Sequence, residues 1–281
     1  MRKFNVNLPQ GQLEVAETGI GKPIVFVHGL LINGSVWDGV VGCLASDYRC
    51  IVPEFPFGCH RIPMNADADL SPTGAGQLIV NLIEKLELED VTLVGGDFGA
   101  VACKVAAASQ ASAISQLILT NCDALEVFPA KGFEYFSFLP LIPGAMWCMA
   151  QTMNLLPFLR AGSMGYGAFA FHPLPDELMR QWTSALVHSG KVRRDAGKMM
   201  LGMDSQLTLS LPKKLGDWGK PVSIIWGTDD TLFSKDLGER LRQAIGSNAT
   251  FVGISEAKTF VFLDAPIATA RAIRDCMENN K

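Results

Sequence analysis

The sequence predicts an α/β fold, a mostly parallel eight-stranded sheet with helices on both faces and one helical insertion. Two observations lead there. Short, almost wholly apolar runs alternate with amphipathic stretches of helical length, and turns rich in Gly, Pro and Asn separate them. That rhythm stops at about residue 123, gives way to a segment rich in Phe, Met, Leu and Pro, and resumes after residue 211.

Residues 4–8 and 12–18 read as an antiparallel hairpin closed by Pro9-Gln10-Gly11. Ile24-Val25-Phe26-Val27 is a run of the kind buried on both faces of a parallel sheet, and His28-Gly29-Leu30 ends it. A helix is expected over 34–45, with Val36, Trp37, Val40, Val41 and Leu44 on one face, then a strand over 48–52 and an irregular loop to Pro63. Ser71-Pro72 pairs an N-cap with a proline at the first helical position, and predicts a helix to about Leu86. Strands follow at 91–94 and 114–120, around an Ala-rich helix over 101–108. After the interruption come a strand at 222–226, a helix over 235–245, a strand at 250–253 and a last helix over 267–277. The expected division is a core of 1–122 and 212–281 with an inserted cap of 123–211.

Composition narrows the function. Hydrophobic residues make up 48% of the 281, the formal net charge is −4 and no basic stripe is present, so nucleic acid is not an expected partner. Residues 135–159 carry no charge, which is long enough to span a bilayer. Pro140, Pro143, Gly144, Gln151, Asn154 and Pro157 break that stretch, so stable membrane insertion is not expected and the segment reads as an apolar lid over a pocket. Apolar lid surface also suggests a homodimer. The seven cysteines show no Cys-x-x-Cys pairing, and the first residues lack the apolar run of a secretory signal, so free thiols in the cytoplasm are expected. No metal-ligand cluster and no nucleotide-binding glycine pattern occurs, so neither metal nor cofactor is expected.

The stretch that organises the chain is Val91-Thr92-Leu93-Val94-Gly95-Gly96-Asp97-Phe98-Gly99-Ala100. Glycines on both sides of Asp97 let a strand turn sharply into a helix, which lifts the central residue above the sheet. The next backbone N–H then points beside that residue, at a helix N-terminus where negative charge is favoured. Such elbows usually carry Ser; here the residue is Asp.

Together with His28-Gly29 after a strand, the interruption, and Ile225-Trp226-Gly227-Thr228-Asp229-Asp230, this elbow resembles the α/β-hydrolase superfamily over about residues 4–277. Asp at the elbow is similar to the haloalkane dehalogenase and epoxide hydrolase branch. The resemblance implies that Asp97 is a nucleophile forming an alkyl-enzyme ester, with the backbone N–H groups of Leu30 and Phe98 as oxyanion hole. It implies that Asp230 is the acid that orients a catalytic His, with Asp123 at the other place where such an acid stands. Where that branch carries Gly-His-Phe, this chain reads Lys258-Thr259-Phe260, so Thr259 occupies the histidine position. A Thr hydroxyl is no general base near neutral pH, and the ester on Asp97 would hydrolyse slowly. Phe98 and Leu30 also replace the Trp and Asn donors to a leaving halide.

Four histidines remain. His28 reads as a support of the oxyanion loop, His60 lies in the loop after the fourth strand, and His172 and His188 lie in the cap, from which either could hang over Asp97. Tyr135 and Tyr166 are the cap tyrosines available to protonate an oxirane oxygen. The functional expectation is therefore action on a small to medium hydrophobic molecule through Asp97, either as nucleophile or as a general acid/base in a dry pocket catalysing proton-transfer, lyase or cyclisation chemistry. A non-catalytic binder of hydrophobic ligands is the alternative.

Overall fold

The computed structural model describes residues 1–279. One sheet of eight strands is formed by β1 (Arg2–Leu8), β2 (Gly11–Thr18), β3 (Lys22–Val27), β4 (Tyr48–Pro53), β5 (Val91–Gly95), β6 (Ile114–Leu119), β7 (Val222–Gly227) and β8 (Ala249–Ile254), in the order β1-β2-β4-β3-β5-β6-β7-β8. The β1–β2 hairpin closes with Leu8 opposite Gly11, and β2 runs antiparallel to β4; every pairing beyond is parallel. From β3 the chain first steps outward to β4, then returns to the other side for β5. The strand order therefore reverses between β3 and β5, where an open parallel sheet leaves a crevice beyond its strand ends. Val27 pairs with Gly95 at that point, so the loops that follow the two strands lie side by side.

Helices cover both faces. α1 (Asp38–Leu44) and the C-terminal helix described below pack together on one side; α2 (Pro72–Lys85) and α3 (Asp97–Ala108) pack on the other. Burial on both sides explains why Ile24, Val25, Phe26 and Val27 are all fully buried. The Ser71 hydroxyl accepts from Gly74 N at 3.2 Å, capping α2 behind Pro72 as its sequence predicts.

Between β6 and β7 lie α4 (Ala145–Leu155), α5 (Pro157–Arg160), α6 (Asp176–His188), α7 (Gly190–Leu201) and α8 (Ser205–Trp218), with 3-10 turns at Glu134–Ser137, Leu139–Leu141 and Tyr166–Ala168. The uncharged stretch is broken into these short pieces, Gly144 adopting a φ of +79° before α4, and among the described residues no helix is long and apolar enough to cross a membrane. Residue 211, the expected end of the cap, falls inside α8, which packs along α3; Thr208 Oγ1 donates to Leu125 O at 2.7 Å. After β7 come α9 (Lys235–Ile245), α10 (Val261–Asp264) and α11 (Pro266–Glu278).

Three elements differ from expectation. The helix expected over 34–45 divides into a 3-10 turn, Gly34–Trp37, and α1. The short α10 precedes the last helix. The elbow helix starts at Asp97, not residue 101, so its unpaired first-turn N–H groups stand at the elbow itself.

Gly99 makes this approach fit: a Cβ there would lie 2.2 Å from His28 O and 2.7 Å from Val27 O. Both are rigid main-chain atoms at the end of β3. Gly99→Ala is expected to destabilise the protein by about 1–3 kcal/mol through overpacking, read as a lower urea midpoint at unchanged slope. A midpoint equal to the parent's would show that the helix retreats without cost.

Candidate active site

Asp97 has a φ of +52°, a left-handed conformation that costs a non-glycine residue on the order of 1–3 kcal/mol. Its backbone N–H is held by Asn121 O at 2.8 Å. The carboxylate leans over the main chain of the β3 loop, where a Cβ on Gly29 would lie 2.1 Å from Asp97 Oδ2. Leu30 N donates to that oxygen at 2.9 Å, and the N–H of Phe98 also bonds the carboxyl. The two groups expected to form an oxyanion hole thus converge on the Asp97 side chain. Leu31, next in the loop, has a φ of +57° and is pinned from both sides: its N–H donates to Phe57 O at 2.7 Å and its carbonyl accepts from Tyr166 Oη at 2.8 Å.

His28 is buried beneath this loop. Its Nδ1 donates to Gly29 O at 2.9 Å and its Nε2 accepts from Phe55 N at 3.0 Å. Burial lowers its pKa to about 4, so it is neutral at physiological pH.

Asp230 has no imidazole partner. Thr259 Oγ1 donates to its Oδ2 at 2.7 Å and Asn121 Nδ2 at 2.9 Å, while the N–H groups of Leu232 and Phe233 donate to Oδ1 at 2.8 and 3.1 Å. Asn121 is itself clamped to both polar atoms of the Gly227 peptide. Burial raises the Asp230 pKa and these hydrogen bonds oppose the rise. Thr259 is fully buried and off the cavity wall, whereas Phe260 reaches the wall and stacks on Phe169 at 5.4 Å.

Asp97 opens into a cavity of about 270 Å³ walled mainly by Phe, Met and Leu side chains, among them Phe98, Phe133, Phe136, Met149 and Met153. Its polar side chains are Asp97, Asp123, Tyr135, Tyr166, Thr152 and Thr183. Burial pushes Asp97 up to about 6, against the pull of the Phe98 and Leu30 N–H groups. Burial, then the charge of Asp97, holds Asp123 well above the carboxylate range. The two N–H bonds favour the ionised form of Asp97, whereas burial and the neighbouring charge disfavour that of Asp123.

Of the candidate imidazoles His60, His172 and His188, none lines this cavity. His60 is buried but turned toward α7, where its Nε2 meets Asp195 Oδ2 at 3.1 Å, and the other Asp195 oxygen is taken by Arg194. His172 is exposed, because Asp264 accepts the backbone N–H groups of Phe171 and His172 and holds that loop at the surface. His188 is exposed at the end of α6, its Nδ1 on Ser184 O at 2.9 Å. Tyr135 and Tyr166 do line the cavity, the Tyr166 hydroxyl already committed to Leu31; burial raises the pKa of both. Two further residues support the site, each with a weak signal in the sequence: Asn121, beside Asp123 at a strand end, and Lys104, a cation inside an Ala-rich apolar helix.

The family model described as the alpha/beta hydrolase family matches residues 24–272. Haloalkane dehalogenase 2 of Mycobacterium tuberculosis is 23% identical over 277 residues, covering 94% of this chain and 91% of that protein. A cis-3-alkyl-4-alkyloxetan-2-one decarboxylase of Shewanella oneidensis is 25% identical over 247 residues, covering 80% and 72%. Among solved structures, epoxide hydrolase CorEH superposes with a TM-score of 0.82 at 16% identity, over 100% of this chain and 99% of its own. With the elbow, the β3 loop and the eight-stranded sheet all in place, the chain belongs to the alpha/beta hydrolase family.

Proposed function

We propose that this protein is an enzyme acting on a small to medium hydrophobic molecule by acid–base chemistry, with Asp97 as the base and protonated Asp123 as the acid. One observation carries this reading. Two carboxyls face a greasy cavity, while the acid that would orient an imidazole is fully occupied by Thr259, Asn121 and two backbone N–H groups. A base raised to about 6, and a second carboxyl that burial and the charge of Asp97 hold well above the carboxylate range, fit the requirement that proton acceptor and donor differ in acidity. The apolar wall excludes water from the pair and selects an apolar substrate. Proton-transfer, lyase and cyclisation reactions need no water-activating base at position 259. A relative that is named a decarboxylase agrees with non-hydrolytic chemistry on this scaffold.

A second reading rests on the Leu30 N–H bond to Asp97 Oδ2. A carboxylate held there can attack an sp³ carbon through its other oxygen, displacing a leaving group and leaving a neutral ester whose carbonyl the N–H supports. With no imidazole on the cavity wall, that ester would persist.

The purified protein is therefore incubated with apolar alkyl halides, epoxides, β-lactones and β-hydroxy ketones, and product and intact mass are recorded. Product without adduct, reduced about 10²–10⁴-fold in Asp97→Asn and falling tenfold per pH unit below pH 6, supports the acid–base pair. A stable adduct on Asp97 supports the trapped nucleophile. Ligand binding that survives Asp97→Asn with no product overturns both in favour of a binder.

Thr259→His restores a base beside Asp230. In the nucleophile reading it is expected to convert a stable Asp97 adduct into turnover, followed as release of alcohol and loss of the added mass; a folded variant that keeps the adduct counts against that reading.

Stability offers a substrate-free check. The Asp97 pKa rises on folding, from 3.8 to about 6, so folding favours the protonated form. The associated stability is fully present below pH 3.8 and is lost as pH climbs through 6, to the extent of about 3 kcal/mol at most. Asp97→Asn should accordingly raise Tm at pH 7.5 and leave it little changed at pH 4. An equal effect at both pH values would show that the carboxyl is not held out of its normal range.

A further inference from the structure

Lys104 lies two turns along α3 from Asp97 and is 1% exposed. Its Nζ donates to the main-chain carbonyl of Asp123 at 2.5 Å and stands 3.8 Å from Cys122 Sγ. Burying an ammonium away from water costs several kcal/mol unless an opposite charge compensates. Neither of these contacts supplies one: a carbonyl carries only a dipole, and burial holds the Cys122 thiol up at about 11, protonated at neutral pH.

The surrounding elements narrow the source of the balancing charge. Along α3 itself the neighbouring titratable groups are Asp97 and Cys103, and burial keeps the Cys103 thiol protonated. On α2, which packs against α3, Glu84 and Lys85 are exposed. On α8, which packs along the other side, Lys213, Lys214 and Asp217 are exposed, and the inward residues are Thr208, Leu211, Pro212 and Leu215. β5 carries no charged residue and β6 none. At the sheet's edge Asp230 already has four donors. What remains are the two cavity carboxyls, one of them borne by the residue whose carbonyl Lys104 holds.

We infer that Lys104 is the positioning residue of the carboxyl pair: its ammonium anchors the main chain of Asp123 and is the buried counter-charge of Asp97 and Asp123. With Asp97 ionised and Asp123 protonated, the three groups together are neutral, which is the state that a dry interior tolerates. The anchor fixes where β6 delivers Asp123 to the cavity, and the charge limits how far burial drives the pair toward full protonation. The inference rests on the acid–base reading of Asp97 and Asp123 and concerns what sets that pair's ionisation.

The test needs no substrate. Protein labelled with ¹³C at aspartate carboxyls is titrated by NMR from pH 4 to 10, with Asp97→Asn and Asp123→Asn assigning the two resonances. Lys104→Gln keeps a donor for the Asp123 carbonyl but removes the charge; Lys104→Met removes both. In Lys104→Gln the midpoints of the pair should rise by about one pH unit or more, at an unchanged circular dichroism spectrum. Relative to Lys104→Gln, which is equally uncharged at every pH, Lys104→Met should add a change in the Asp123 resonance, because the anchor is gone. If Lys104→Met fails to fold, the Gln variant decides alone. Midpoints that stay in place in a folded Gln variant overturn the inference and leave the acid–base reading standing. Parent carboxyls that both titrate near 4 without influencing one another overturn the pair itself, and Lys104 with it.

Discussion

The hydrogen bond from the Leu30 N–H to Asp97 Oδ2 joins the two halves of the sheet at the point where the strand order reverses. It can form only because β3 and β5 are neighbours with Val27 opposite Gly95, because Gly29 leaves room for the carboxylate, and because Gly99 lets α3 begin against the end of β3. The left-handed backbone of Asp97 and Leu31 is the strain this meeting requires. Loops anchored by Phe57, Tyr166 and the neutral His28 over-determine the geometry, so the strained residues have no relaxed alternative nearby.

Two consequences follow from placing that carboxylate under an apolar lid. Desolvation raises its pKa to about 6, and burial, then the charge of Asp97, raises that of Asp123, so two chemically identical groups are disfavoured as anions to different degrees. Thr259 has the complementary effect. Its hydroxyl satisfies Asp230 as an imidazole N–H would, which keeps the acid hydrogen-bonded and the loop folded, but it brings no group that titrates near pH 7. The architecture of the family is preserved, and the proposed proton chemistry lies on the Asp123 side of the cavity.

Much of this was legible in the chain. Apolar runs marked the central strands because parallel strands buried on both faces leave no room for polar alternation, and the Pro9-Gln10-Gly11 turn marked the β1–β2 hairpin. Gly95-Gly96-Asp97-Phe98-Gly99 marked the elbow because only glycine admits such close backbone contact. The extent of the helix at the elbow was harder to read, since Asp97-Phe98-Gly99 has weak helical preference and is held helical by the sheet below it. The histidines were ambiguous for a different reason. His60 and His172 sit in loops, and a loop's direction is set by distant partners, here Asp195 on α7 and Asp264 on α10.

By itself, then, the sequence determined the fold and the identity of the residue presented at the elbow, because both depend on local pattern, strand period and glycine position; that Thr259 stands where a histidine is expected is what the family resemblance implies. Tertiary structure alone decided which polar groups gather around the two acids, in the cavity and behind its wall. Asp123, Asn121 and Lys104 are brought to Asp97 and Asp230 by strand adjacency and by hydrogen bonds between residues far apart in the chain, and electrostatic coupling depends on distance through a low-dielectric interior, which no spacing along the sequence encodes.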